Sequence, residues 1–205
     1  TRSGLHVPPS GGGGYAATVL AEPGLLAYWR KGEGSGSAML DSGPSGLDGF
    51  YGGSVTLGVT GLLSGDPDTA VQYDGSSANA HVPSTGLMPT AAIAADMVVK
   101  PANVGQQSVL FTHANSAAGF GTDWVFFLYH DSSAKLGCFI FSGGSNAFAQ
   151  SSGAVLSNGT IAHVGFTYDG ADLNVLVAGS VVAHASFSGA LNTAGPQNLM
   201  IGASL

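Results

Sequence analysis

The chain has 205 residues, enough for one large domain or a domain with an arm. Only 8% of them are Asp, Glu, Lys or Arg, against about 25% in ordinary domains, so solvation rests on Ser, Thr, Asn, Gln and Gly-rich backbone. Five scattered basic residues (Arg2, Arg30, Lys31, Lys100, Lys135) against twelve acidic ones give a net charge of −7, which argues against nucleic acid and anionic membranes as partners, and no apolar run approaches the ~20 residues that cross a bilayer.

Residues 1–14 read as an N-terminal arm, stiffened by Pro8-Pro9 and loosened by Ser10 and the Gly11–Gly14 run. Tyr15–Ala21 predicts one or two helical turns, ended by Pro23-Gly24. From Leu25 onward the texture is strand and turn. Leu26–Trp29 reads as a first strand. Asp41-Ser42-Gly43-Pro44 and Leu47-Asp48-Gly49 carry turn chemistry. Thr69–Tyr73 is a short strand, closed by Asp74-Gly75. In Ala91–Lys100, Ile93, Ala95, Met97 and Val99 share one face, with Asp96 and Val98 on the other.

Ser108–His113, Asp123–His130 and Lys135–Phe141 follow at hairpin spacing, with Asp131-Ser132-Ser133 as the turn between the last two. Trp124–Tyr129 is apolar on both faces, which predicts a central strand covered on both sides. Ile161–Tyr168 and Asp172–Ala178 flank the hairpin signal Asp169-Gly170. Val181–Phe187 returns across Ala178-Gly179-Ser180, and Leu199–Ile201 is the last candidate. About ten short strands with turns between them predict an all-β fold, a two-sheet antiparallel jelly-roll sandwich over residues 15–205.

Several chemistries are missing. There is no G-x-S-x-G elbow, no phosphate-binding P-loop, and no H-x-x-x-H spacing among the six histidines. The single cysteine, Cys138, excludes an internal disulfide and reads as a buried structural thiol.

One stretch is more specific. It runs Tyr28-Trp29-Arg30-Lys31-Gly32-Glu33, Asp41-Ser42-Gly43, Gly49-Phe50-Tyr51, Val55-Thr56-Leu57-Gly58 and Asp68-Thr69-Ala70-Val71, ending in Tyr73-Asp74-Gly75. Further on come Met97-Val98-Val99-Lys100-Pro101, His163–Gly170 and Met200-Ile201-Gly202. In this order the segments resemble laminin G-like jelly-roll domains of the concanavalin A-like superfamily, of the bacterial and bacteriophage type. The departures are Lys31 where the family has Leu, Met97 where it often has Trp, Ile161-Ala162 in place of Trp-His, and Ala178-Gly179 in place of an Asp-Gly turn. The resemblance also implies a closing strand beyond Leu205, without which one sheet keeps an unpaired edge open to association.

Most matched residues read as structural. Tyr28, Trp29, Val71 and Tyr73 are expected in the core, and Asp41 and Asp74 in Asx-type turn bonds, with calcium ligation as the lesser alternative. Glycosidases on this sandwich usually carry E-x-D-x-x-E, because hydrolysis needs two carboxyls about 5–9.5 Å apart. Glu22 and Glu33 are the only glutamates and lack that spacing, so the expectation is a non-enzyme. Some relatives, such as pentraxins, bind Ca²⁺ in rim loops. The matching loop here is His113–Asp123, with Asn115 and Asp123 as oxygen donors. The candidate ligand-binding set is His113, Asn115, Phe120, Asp123, Trp124 and Phe148, the three aromatics as sugar-stacking platforms, with a place in the core as the stronger alternative for Trp124. Two functions follow from the resemblance. One is an extracellular glycan-binding or adhesion module. The other is a structural module of a bacteriophage virion, its tail or capsid surface, acting through protein contacts in a homo-oligomer or larger assembly.

Overall fold

The computed structural model describes residues 14–83, 89–114, 124–142, 145–192 and 198–202. The expected arm lies outside these, apart from Gly14, which opens helix α1 (Gly14–Leu20). The helix ends where expected, with Gly24 in the left-handed region at φ +79°. Tyr15 is buried, and its ring meets Tyr28 edge-on at 6.5 Å.

Fourteen strands follow among the described residues: β1 (Ala38–Met39), β2 (Gly49–Gly52), β3 (Thr56–Val59), β4 (Ala70–Gln72), β5 (Asn79–Val82), β6 (Ile93–Val99), β7 (Ser108–Ala114), β8 (Trp124–His130), β9 (Leu136–Ser142), β10 (Ser145–Gln150), β11 (Ala162–Tyr168), β12 (Asp172–Val177), β13 (Ser180–Ser186) and β14 (Asn198–Ile201). They form an eight-stranded antiparallel sheet in the order β1-β2-β5-β14-β7-β8-β9-β10, a four-stranded sheet β13-β12-β11-β6, and the small pair β3-β4. The fold is the expected antiparallel sandwich.

Turn chemistry sets the hairpins. The Asp169 carboxylate accepts the amides of Ala171 and Asp172, with Gly170 at φ +94°. Ala178 and Gly179 both have positive φ, 48° and 77°, the type I′ geometry that matches strand twist, so this turn works without the usual Asp. Asp131 accepts the amides of Ser133 and Lys135 to close β8 onto β9.

Nine of the ten expected strands form. The tenth, Leu26–Trp29, does not: it makes one isolated bridge, Trp29 to Asp41. Its polar groups go elsewhere. The Asp41 carboxylate accepts the Tyr28 amide, and the Trp29 indole N–H donates to the Leu47 carbonyl. The Ser42 amide also donates to the Tyr28 carbonyl, so one carboxylate and isolated carbonyl contacts replace a ladder. Five strands were not expected, β1, β2, β3, β5 and β10, because they are short or rich in Gly, Ala, Ser and Asn, which carry little strand signal.

The sheets close on an apolar layer. Phe126 of β8 meets Phe166 of β11 at 5.0 Å and Phe111 of β7 at 5.3 Å. Val125, Leu128, Leu136, Ile140, Val164, Leu173 and Val175 are fully buried around them. Ile93, Ala95, Met97 and Val99 line the inner face of β6 as expected, and Trp29, Val71 and Tyr73 pack against the core. Tyr28 is the exception, since it packs on α1.

Asp41 and Asp74 are turn builders. Asp41 accepts the Tyr28, Gly43 and Leu47 amides. Asp74 accepts those of Ser76, Ser77 and Ala78, which hold its carboxyl well below the usual range. A second polar network ties in the chain before β1. Lys31, with left-handed φ of 58°, donates from Nζ to the Tyr73 hydroxyl at 2.6 Å, while Tyr51 donates to Glu33 at 2.7 Å. Burial pushes the Lys31 ammonium down to about 7, with Glu33 opposing.

Two predictions follow from this packing. Phe166→Ala leaves a cavity between the sheets and lowers unfolding free energy by about 3–5 kcal/mol in denaturant titration. Lys31 binds its proton more weakly folded than unfolded, so its contribution is lost as pH falls through the interval down to about 7. Stability therefore rises from pH 7 to about 9.5, by up to ~1.4 kcal/mol per pH unit, and Lys31→Met flattens that rise.

Candidate functional site

Side chains alternate across a strand, so the eight-stranded sheet has a second face, turned away from the core. Registers identify it. Phe127 pairs with Phe139, and Phe139 with Phe148; Tyr129 pairs with Gly137, and Gly137 with Gln150; Phe141 pairs with Asn146. On this face Val109, Ala114, Trp124, Phe127 and Tyr129 form a cluster separate from the main core, with Phe139 and Phe141 packed against it.

The rings stand nearly parallel. Phe127 and Tyr129 lie 5.1 Å apart at 30°, Tyr129 and Phe139 6.2 Å at 18°, and Phe139 and Phe141 6.1 Å at 25°. Phe148 stacks on Phe139 at 4.3 Å and 22°. Because β10 is the edge strand, Phe148 ends the row, and it is 42% exposed. A Cβ at position 137 would lie 2.9 Å from the Tyr129 ring, so Gly137 makes room for it. Gln150 donates from Nε2 to the Tyr129 hydroxyl at 3.3 Å and to Asp131 Oδ2 at 3.2 Å. Burial, then the Asp131 charge, pushes the Tyr129 phenol up, so it is un-ionised at neutral pH. An exposed ring beside an amide and a phenol suits a ligand with apolar C–H faces and hydroxyl groups.

The expected site residues divide. Phe148 is exposed on this face. Trp124 belongs to the same face but is only 6% exposed, its ring against Phe127 and Phe141, so it flanks the row without offering an open stacking surface. His113 is turned the other way. Its register opposite Phe126 and Leu199 puts it on the inner face, buried and stacked on Phe126 at 6.0 Å. Asn115, Phe120 and Asp123 lie outside the described residues. Tyr129, Phe139, Phe141 and Gln150 were not singled out in the sequence. Their signal, aromatic or amide residues two apart in β9 and β10, becomes readable only once β10 is known to be a strand.

No group of three or more His, Cys, Asp or Glu side chains that could hold a metal occurs among the described residues. Asp41 and Asp74, the lesser calcium candidates, spend their oxygens on backbone amides. Cys138 is fully buried on the inner face, and burial pushes its thiol well up.

A laminin G-type family model, described as the concanavalin A-like lectin/glucanases superfamily, matches residues 74–205. The chain belongs to that superfamily. Among solved structures, domain 4 of AbnA, a GH43 extracellular arabinanase from Geobacillus stearothermophilus in complex with arabinotriose, is 14% identical; the match covers 81% of this chain and 84% of that one, with a TM-score of 0.53. The carbohydrate-binding module CBM66 from Bacillus subtilis is 13% identical over 64% and 77% of the two chains, with a TM-score of 0.40. The Bacillus licheniformis beta-glucanase is 12% identical over 100% and 88%, with a TM-score of 0.43. At 14% identity the likeness to the arabinanase domain is one of fold alone. No curated protein matches the chain in sequence.

The role of Gly137 is open to test. Gly137→Ala forces the Tyr129 ring to move, costs about 1–3 kcal/mol of stability, and changes the near-ultraviolet circular dichroism of the aromatic row.

Proposed function

We propose that this superfamily member is a non-catalytic carbohydrate-binding module that works outside the cell and takes a sugar ring against Phe148. The carrying observation is the exposed Phe148 ring at the end of a pre-ordered aromatic row. Phe148 is backed by Phe139, so little side-chain freedom is lost when a ligand lands on it. Gln150, two residues along the same strand face, supplies amide hydrogen bonding. The arabinanase domain, similar in fold, was solved with arabinotriose bound, which favours a sugar as ligand.

The non-catalytic part rests on the carboxylates. Asp131 and Asp48 lie beside this face at opposite ends, and both are engaged: Asp131 by Ser133, Lys135 and Gln150, Asp48 by the Asp41 amide. Glycoside hydrolysis needs two carboxyls about 5–9.5 Å apart, and these two stand at opposite ends of the face.

Isothermal titration against soluble polysaccharides tests the proposal. Phe148→Ala is expected to weaken binding at least about tenfold, ~1.4 kcal/mol, while the melting temperature falls by only about 2–4 °C through the lost stacking on Phe139. The wild-type chain releases no reducing sugar. Binding by Phe148→Ala equal to that of the parent would overturn the assignment, and turnover would overturn its non-catalytic part.

A further inference from the structure

Phe148 is one end of a longer alignment. Successive registers place Ala38 opposite Phe50, Phe50 opposite His81, His81 opposite Met200, Met200 opposite Thr112, Thr112 opposite Phe127, Phe127 opposite Phe139 and Phe139 opposite Phe148. One residue from each of the eight strands thus forms a single line across the sheet, on the face away from the core.

The line is not uniformly open. Thr112 and Phe127 at its centre are buried. It is exposed again at the far end, where Phe50 is 48% exposed and its ring lies 5.8 Å from His81. Phe50 has Ala38 beside it on β1 and Gly52 two residues along β2. These small neighbours keep the ring accessible. The two exposed aromatics are six strand spacings apart, roughly 29 Å along the sheet at about 4.8 Å each.

We propose that Phe50, with His81, is a second contact for the same ligand, and that the ligand is an extended, uncharged polysaccharide lying across the strands. This rests on the reading of Phe148 given above. Neither end alone spans more than a sugar or two, and only a chain can reach both. The aligned row contains no Lys, Arg, Asp or Glu, so it offers stacking and hydrogen bonding but no charge partner. With a net charge of −7 the chain repels polyanions at long range. Two weak contacts on one chain reinforce each other through effective concentration, so affinity depends on ligand length.

The test compares linear arabinan, a neutral β-glucan and a polyuronate with the trisaccharides of the first two, by isothermal titration on wild type, Phe50→Ala and Phe50→Trp. The expected result is at least tenfold tighter binding of a neutral polymer than of its trisaccharide. Phe50→Ala should lose at least fivefold for the polymer and nothing for the trisaccharide, while Phe50→Trp retains polymer binding. The polyuronate should not bind. Equal affinity for long and short chains, polymer binding unchanged by Phe50→Ala, or preference for the polyuronate each overturns this inference and leaves the Phe148 reading standing. If Phe50→Ala alters only the sedimentation coefficient, Phe50 is a self-association contact and the inference falls. Failure of every probe to bind overturns the Phe148 reading as well.

Discussion

The contact of Phe126 with Phe166 joins the two sheets, and everything at the candidate site depends on which side of β8 it occupies. A strand has a period of two. Once Phe126 and Leu128 point into the sandwich, Phe127 and Tyr129 must point out of it. A one-residue slip would exchange the two sets and leave neither layer intact. The core therefore sets the register, and the register assembles the outer aromatic row. This is why β8 is buried along its whole length although only one of its faces meets the other sheet.

The polar residues have a corresponding division of labour. In a chain with so few charges, carboxylates could have gone to chemistry, but those described mostly organise backbone. Asp41, Asp74, Asp131 and Asp169 each accept two or more amides that a short strand or tight turn leaves without a ladder partner. Some of these amides are half-buried and costly when unsatisfied, so these aspartates shape loops first. The central row of the outer face carries rings, Thr112 and Met200 but no Lys, Arg, Asp or Glu. That composition goes with the proposed recognition of neutral sugar, in which contact area and geometry matter more than charge.

Lys31 shows how a departure from the family pattern is absorbed. Its left-handed backbone is uncommon for a residue with a side chain, and its amine sits over the Tyr73 ring and bonds its hydroxyl, near the charge of Glu33. The network costs some stability at neutral pH and ties the segment before β1 to the sandwich. Tyr73 in turn packs against Gly202, where a Cβ would come within 2.8 Å of its ring. The early motif and the last described strand thus meet at one residue.

The fold class was legible in the order of short apolar segments and turn residues. Nine strands, the helix and the Asp169-Gly170 and Ala178-Gly179 turns follow from local rules, because period-two alternation and left-handed turn positions are properties of a few neighbouring residues. Phe148 was a stacking candidate in the sequence, and its place at the end of the aromatic row comes from the β9–β10 register. What the sequence left open was pairing. Trp124 and His113 were open between ligand contact and packing, and the strand registers place one within the outer aromatic cluster and the other in the core. Phe139 and Phe50 became notable only through partners 9 and 31 residues away. Alternation tells which residues share a face of their own strand. It cannot tell which face of which neighbour they meet, because that is decided when distant strands hydrogen-bond and the sheets close over the larger apolar side.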